Sequence, residues 1–418
     1  MTPTPTQAEA TKVFLRIGLL SFGGPAAQIA LMHRELVEER GWLTEAQYLS
    51  ALSFCMLLPG PEAMQLATYA GWKLHGTRGG LIAGMLFLLP GAAVVLALSM
   101  AYAAFGALPF MQALFLGVQA TVVVIVIEAL LRVSRRALKK RLHWIIAGLA
   151  FIGIFFLHLP FPAIIIAAAL YGFATSSGTN SQPPPMQPAH TIRTLAIWLA
   201  LWLLPLAGLW YFEAGILSQI ALFFSKLAVV TFGGAYAVLA YMTQTVVQDF
   251  GWLTTDQMID GLGLAETTPG PLILVTEFVG YLAAHKAGGV AYGLLAAVIT
   301  LWMTFVPCFL WIFVGAPYLD WIASRPRLSG ALAAITAAVV GVILNLSVWF
   351  AAHVFFRKIG EINLGFFHIL APAPGSIAPL AVGLAVLAGW LILLRHWGLP
   401  AVLAICAALS LAVNMVGL

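Results

Sequence analysis

The chain has 418 residues, of which 62% are apolar and only 8% charged, with a formal net charge of +5 and a mean hydropathy of +0.99. So few charges cannot cover a soluble surface, so composition predicts an integral membrane protein and leaves no room for a soluble catalytic domain. The basic residues gather at the flanks of apolar stretches, a pattern of membrane anchoring and not of nucleic-acid binding.

The N-terminal "MTPTPTQAEATK" lacks the basic, apolar and small-residue regions of a cleaved signal, so the first apolar stretch is expected to stay as an anchor. A helix needs about 20 apolar residues to cross a ~30 Å hydrocarbon core. Apolar windows predict thirteen crossings, at 12–33, 45–75, 79–104, 109–131, 142–158, 160–175, 191–210, 217–245, 256–285, 289–315, 327–350, 376–394 and 398–417. Two of them, 45–75 and 256–285, hold "LLPGPEA" and "TTPGPLI" and are expected to be broken. After the fourth window, "RVSRRALKKRLH" packs Arg132, Arg135, Arg136, Lys139, Lys140 and Arg141 into one loop. That loop is expected to be cytoplasmic, facing solvent or anionic lipid, which puts the N-terminus inside and the C-terminus in the periplasm. The Pro/Ser-rich Ser176–His190 reads as a flexible cytoplasmic linker.

Self-comparison uncovers a duplication. "SFGG" at 21–24 returns as "TFGG" at 231–234, "GWLT" at 41–44 returns at 251–254, and "PGP" at 59–61 returns at 269–271, all at an offset of 210. Six crossings precede the linker and one extra crossing follows it, so the second copy enters the membrane from the opposite side. The expected fold is an all-α polytopic membrane protein with two inverted-topology repeats and broken helices, a transporter architecture. Residues 1–175 form the first repeat, 176–216 the linker with one extra span, and 217–418 the second repeat.

In lipid a helix is interrupted only where protein or a water-filled cavity satisfies the backbone. Pro59, Gly60 and Pro61, and their copies Pro269, Gly270 and Pro271, are therefore expected to face the interior, with Pro61 and Pro271 starting half-helices whose free N–H groups and dipole favour an anion. Ser21, Gly23 and Gly24, with Thr231, Gly233 and Gly234, form a second such pair. Ionisable groups deep in spans are functional candidates because each costs about 2.5–3.5 kcal/mol to insert. Arg16 and Lys226 hold equivalent positions as candidate ligands of a dianion, while Glu62, Glu128, Glu266 and Glu277 are candidate proton carriers or ion-pair partners. Cys55, Cys308 and Cys406 lie far apart in apolar surroundings, so neither a metal pair nor a disulfide is expected, and no cofactor motif occurs. Neither HExxH nor a recognisable Ser/His motif is present, and "DGLGLAE" lacks the second aspartate of an intramembrane protease, so no enzyme activity is expected. Gly80 and Gly84 permit close helix packing, within one chain or across a homodimer.

The segments "SFGGP", "ERGWLT", "LLPGPEAMQLATYAGW" and "GMLFLLPGA", followed by "TFGGAYAVL", "GWLT" and "LAETTPGPLILVTEFVGYLAA", resemble the signature segments of the chromate ion transporter family in its long form with two homologous halves. The resemblance covers most of 12–104 and 220–315, in order. It implies a secondary transporter of the bacterial inner membrane that expels chromate and confers chromate resistance, with sulfate as a related substrate. Composition and breaks leave open uptake, another oxyanion, or an anion channel.

Overall fold

A computed structural model describes residues 5–177, 188–232, 235–319, 321, 325–365 and 367–416. They are overwhelmingly helical, in keeping with an all-α polytopic membrane protein. Among the described residues, six helices are long and apolar enough to cross a membrane, and shorter apolar helices accompany them.

The chain divides into two compact units, Met1–Met100 with Ser177–Ala235 and Thr268–Ser329, and Ala101–Ser176 with Tyr236–Thr267 and Gly330–Leu418. Each unit takes segments from both copies of the repeat.

The first unit begins with α1 (Gln7–Leu20), capped by Thr6 and Glu9 in a reciprocal capping box, and α2 (Gly24–His33). The window 12–33 is thus two helices and not one span, and 217–245 is likewise split into α9 (Ile216–Val230) and α10 (Ala235–Gln244). Apolar composition continues through both breaks, so hydropathy passes over them. The backbone does not: Phe22 N–H bonds back to the Leu20 carbonyl and Phe232 N–H to that of Val230, tight turns that end each helix.

The "GWLT" copies fold alike. Thr44 and Thr254 each bond reciprocally with the glutamine three residues on, opening α3 (Glu45–Leu57) and α11 (Thr255–Thr267), both of 13 residues. Beyond PGP come two long kinked helices, α4 (Glu62–Phe105) and α12 (Val275–Gly315). α4 leaves helical geometry at His75 and Gly76, and α12 at Gly288 and Gly289. A Cβ on Gly71 would fall on the Gly79 carbonyl, and one on Gly280 on the Thr300 hydroxyl, so the two arms of each helix pack tightly face to face. The first arm of α4, up to its kink, is shorter than the ~20 residues a crossing needs. Gly80 and Gly84 are covered from inside the chain, by Phe313 and by Thr68 and Phe309.

In the second unit, α5 (Pro109–Ala137) packs Ala120, Val124 and Ile125 against Leu384 and Ala388 of helix Pro379–Gly389 and against Val402 and Cys406 of helix Leu399–Val416. All three cysteines are free and buried. Between the helical windows 327–350 and 376–394 the chain forms an antiparallel hairpin, β1 (Ile359–Leu364) with β2 (Phe367–Pro372). Its two-residue connection starts at Gly365, φ 65°, the backbone sign that a two-residue hairpin turn needs at that place.

Candidate functional site

The first unit brings together both PGP breaks with Ser21 and Thr231, and each break is held by the opposite copy. Gly60 N–H donates to the Thr231 carbonyl at 2.8 Å, and Gly270 N–H donates to the Ser21 carbonyl at 2.9 Å. The break of the first copy is thereby closed by Thr231 of the second, and that of the second by Ser21 of the first. Two short interruptions that would each leave buried backbone groups unsatisfied resolve one another.

Glycine is needed at the crossing for two reasons. Gly60 has φ 122° and Gly270 φ 89°, which L side chains rarely adopt. A Cβ on Gly60 would also stand 2.8 Å from both Cys308 Sγ and Gln65 Nε2. A third glycine, Gly91 of α4, lies where a Cβ would fall on the Pro269 carbonyl. The prolines sit one place earlier than expected, at the capping positions: α4 begins at Glu62, and Pro271 precedes the short 3-10 turn Leu272–Leu274 that leads into α12. First-turn N–H groups still have no acceptor within their own helix there, and the dipole makes that end positive.

Two side chains that sequence comparison passed over complete the breaks. Buried Gln28, on α2, donates through Nε2 to the Gly270 carbonyl at 2.6 Å and to the Ser21 carbonyl at 3.3 Å. Buried Gln65, in the first turn of α4, donates to the Pro59 carbonyl at 2.7 Å. The Oε1 atoms of both are buried without a hydrogen-bond partner. Their counterparts at the 210 offset are Val238 and Val275, so self-comparison gave no signal for either. A polar amide in an apolar window beside a break was the available clue.

The other candidates divide. The Ser21 and Thr231 hydroxyls donate to the Ile17 and Leu227 carbonyls of their own helices, at 2.6 and 2.5 Å, and are not aimed away as anion donors. Gly23 and Gly24 are both at positive φ, while Gly233 and Gly234 lie outside the described residues. Arg16 and Lys226 are exposed and not gathered at the breaks: the Arg16 side chain is 55% exposed and pairs at 3.5 Å with Glu35.

Glu35 is fully buried and also pairs with Arg40 at 2.6 Å. Removing the acid would leave two cations facing each other, and breaking a buried pair costs about 3–5 kcal/mol. Glu35→Ala is therefore expected to lower sharply the amount of monodisperse protein extracted from membranes, measured by size-exclusion chromatography, while Glu39→Ala at the same turn is expected to leave it unchanged.

Glu62 is half-buried at the N-terminus of α4. Glu277 is buried in the first turn of α12, and its Oε2 has no hydrogen-bond partner. In the second unit, Glu128 pairs with Arg132 one turn along α5. Buried Glu266 accepts a hydrogen bond from Tyr236 Oη at 2.7 Å, with Arg132 and Glu128 near enough to act on it electrostatically.

Outside the apolar helices, His33 sits between Glu38 and Glu45, with its ring nitrogens 3.1 and 2.7 Å from their carboxylates. The Glu45 contact and the two negative charges raise its pKa above the ordinary histidine value. Among the described residues no cluster of three or more His, Cys, Asp or Glu could hold a metal ion.

The family model for chromate transporters matches the chain twice, at residues 8–173 and 218–412. The chain is 33% identical over 344 residues to a probable chromate transport protein of Synechococcus elongatus, covering 82% of this chain and 84% of that one. It is 34% identical over 341 residues to the chromate transport protein of Pseudomonas aeruginosa, covering 79% and 77%. It is 26% identical over 344 residues to an uncharacterized transporter of Methanocaldococcus jannaschii. No solved structure matches. Two family matches, one to each copy of a duplicated frame, place this chain in the chromate transporter family, in its long two-halved form.

Proposed function

We propose that this chain is a secondary transporter that carries chromate, or a tetrahedral dianion of the same kind such as sulfate, outward across a bacterial inner membrane, and that this flux gives chromate resistance. The observation that carries the reading is the reciprocal crossing of the two breaks, Gly60 to Thr231 and Gly270 to Ser21. Non-helical backbone at membrane depth is tolerated only around protein or a cavity, and helix N-termini at such a place suit an anion. One break from each of two related copies is the arrangement on which alternating access operates. In this reading residues 1–175 and 217–418 are the inverted halves, 176–216 connects them, and the N-terminus is cytoplasmic with the C-terminus periplasmic. Arg16 and Lys226, exposed and equivalent, serve to draw anions toward the protein. Chromate is taken from the relatives, which are named as chromate transport proteins.

Direction follows from charge. Moving one elementary charge is worth about 2.3 kcal/mol per 100 mV, so a dianion leaving an inside-negative cell gains about twice that. The sequence has no GxxxxGK[ST] phosphate loop, which fits flux without nucleotide hydrolysis. Proteoliposomes loaded with chromate and clamped inside-negative are expected to empty faster than unclamped ones, and sulfate inside is expected to slow chromate loss. Chromate loss equal to that of protein-free liposomes would overturn the reading.

A further inference from the structure

A buried acid outside the anion site has an environment that none of the roles above uses. Asp260, in α11, is only 4% exposed. Its Oδ2 accepts from Tyr102 Oη at 2.7 Å, and its Oδ1 accepts from Gln119 Nε2 at 2.8 Å. Both donors are neutral, and no lysine, arginine or histidine lies within ion-pair distance among the described residues. The other acids within the helices differ. Glu35 and Glu128 have arginine partners, and Glu266 has Arg132 within electrostatic reach. Glu277 has an oxygen with no hydrogen-bond partner at all.

Asp260 is held in a different way. Two neutral donors satisfy the carboxylate, yet no charge balances it, so the site is poised between an anion with two hydrogen bonds and a neutral acid. Tyr102 supplies the route for the proton. It is half-buried near the end of α4, beside residues 104–110, of which all but half-buried Gly106 are exposed, and in the proposed loading its hydroxyl takes a proton from that side as it passes its own to Asp260 Oδ2. Water loses one proton, the tyrosine is unchanged, and the carboxylate becomes a carboxylic acid. In the orientation set by the basic loop Arg132–Arg141, residues 104–110 face the exterior.

We propose that Asp260, with Tyr102 and Gln119, is the proton-binding site of this transporter, loaded from the exterior, and that it makes anion export proton-coupled. The proposal rests on the transport reading above. The chain itself provides a link to the anion site: α11 ends at Thr267, and the next residues are the second break, Thr268–Pro271. Other titratable groups near this helix are Asp256 at its start, His353, which Asp256 affects electrostatically, and Glu266 with Tyr236, Glu128 and Arg132 at its far end. Helix Leu399–Val416, which also packs on α11, carries no charged residue and one titratable group, Cys406. None of these donates a hydrogen bond to Asp260.

The test pairs transport with spectroscopy on the intact protein. Wild-type proteoliposomes are expected to move chromate against its gradient when the exterior is acidified, and Asp260→Asn is expected to lose at least about tenfold of that pH-driven component while keeping sulfate–chromate exchange. Tyr102→Phe, which removes both the relaying hydroxyl and a donor to the carboxylate, is expected to slow the pH-driven component strongly and to move its pH midpoint to higher pH. Infrared difference spectra of the purified protein on acidification are expected to show a protonated-carboxyl C=O band that Asp260→Asn removes. Retention of pH-driven transport by Asp260→Asn, or of the band, would overturn the assignment. If wild-type protein moves no oxyanion, the transport reading fails by itself, and the infrared band still decides whether Asp260 binds the proton.

Discussion

Gly60→Ala is expected to reduce chromate flux per inserted molecule by at least about 100-fold. Two independent penalties meet at that position. The backbone sits at φ 122°, where a non-glycine residue is strained by about 1–3 kcal/mol. The new Cβ would stand 2.8 Å from Cys308 Sγ and from Gln65 Nε2, and overpacking of this kind costs about 1–3 kcal/mol more. Relief comes only by moving Gly60, which would break its hydrogen bond to the Thr231 carbonyl and separate the two copies at the crossing. The two penalties can be told apart. Adding Cys308→Ala removes the sulfur and is expected to restore flux in part, while the backbone strain keeps it below wild type. Full restoration would make the crossing irrelevant and the loss purely steric. Flux is to be normalised to protein recovered from the same liposomes, because some of the energy will appear as lower yield.

Gln28→Leu carries the second-largest expected effect. One buried amide nitrogen donates to carbonyls from both copies, Ser21 and Gly270, and leucine of similar length removes the donor while keeping the volume. A buried acceptor left without its partner costs about 1–3 kcal/mol, so a loss of about 10- to 100-fold in flux is expected. Gln65→Leu strands only the Pro59 carbonyl and is expected to cost less. Gln28→Glu is more informative than either. Ionised, it has no proton to donate and faces two carbonyl oxygens, so flux is expected to vanish at neutral pH; protonated at acid pH, it regains one donor and is expected to recover in part. Equal flux in Gln28→Leu and Gln65→Leu, both near wild type, would remove the amides from the site.

Much of this arrangement could be read from the chain before its shape was known. "SFGG", "GWLT" and "PGP" repeat at one offset because both copies need the same turns. The structure repeats those turns closely, down to Gly41 at φ 59° and Gly251 at φ 61°. What the motifs could not reveal is which break closes which. The pairing of Gly60 with Thr231 is a tertiary choice, and nothing local to either segment encodes it. Gln28, Gln65 and Asp260 escaped for a related reason: their counterparts are Val238, Val275 and Ser50, so a search for symmetry passes over the residues that break it. Arg16 misled in the opposite way. Its symmetric partner Lys226 suggested a ligand pair, whereas the local sequence places the acid Glu35 within its reach. The hairpin at β1 and β2 falls between the windows 327–350 and 376–394, where a search for apolar crossings has no eye for strands.

The central claim is that one oxyanion site, formed where the two breaks cross, opens to each side of the membrane in turn. Counterflow tests this most directly. Purified protein is reconstituted in liposomes loaded with unlabelled sulfate, and the entry of a trace of labelled sulfate is followed with no imposed proton gradient or potential. The account predicts that sulfate inside accelerates entry of the label, that chromate outside competes with it, and that both effects disappear in Gly60→Ala. Entry that is indifferent to sulfate inside, as through an open channel, or that persists unchanged in Gly60→Ala, would contradict it.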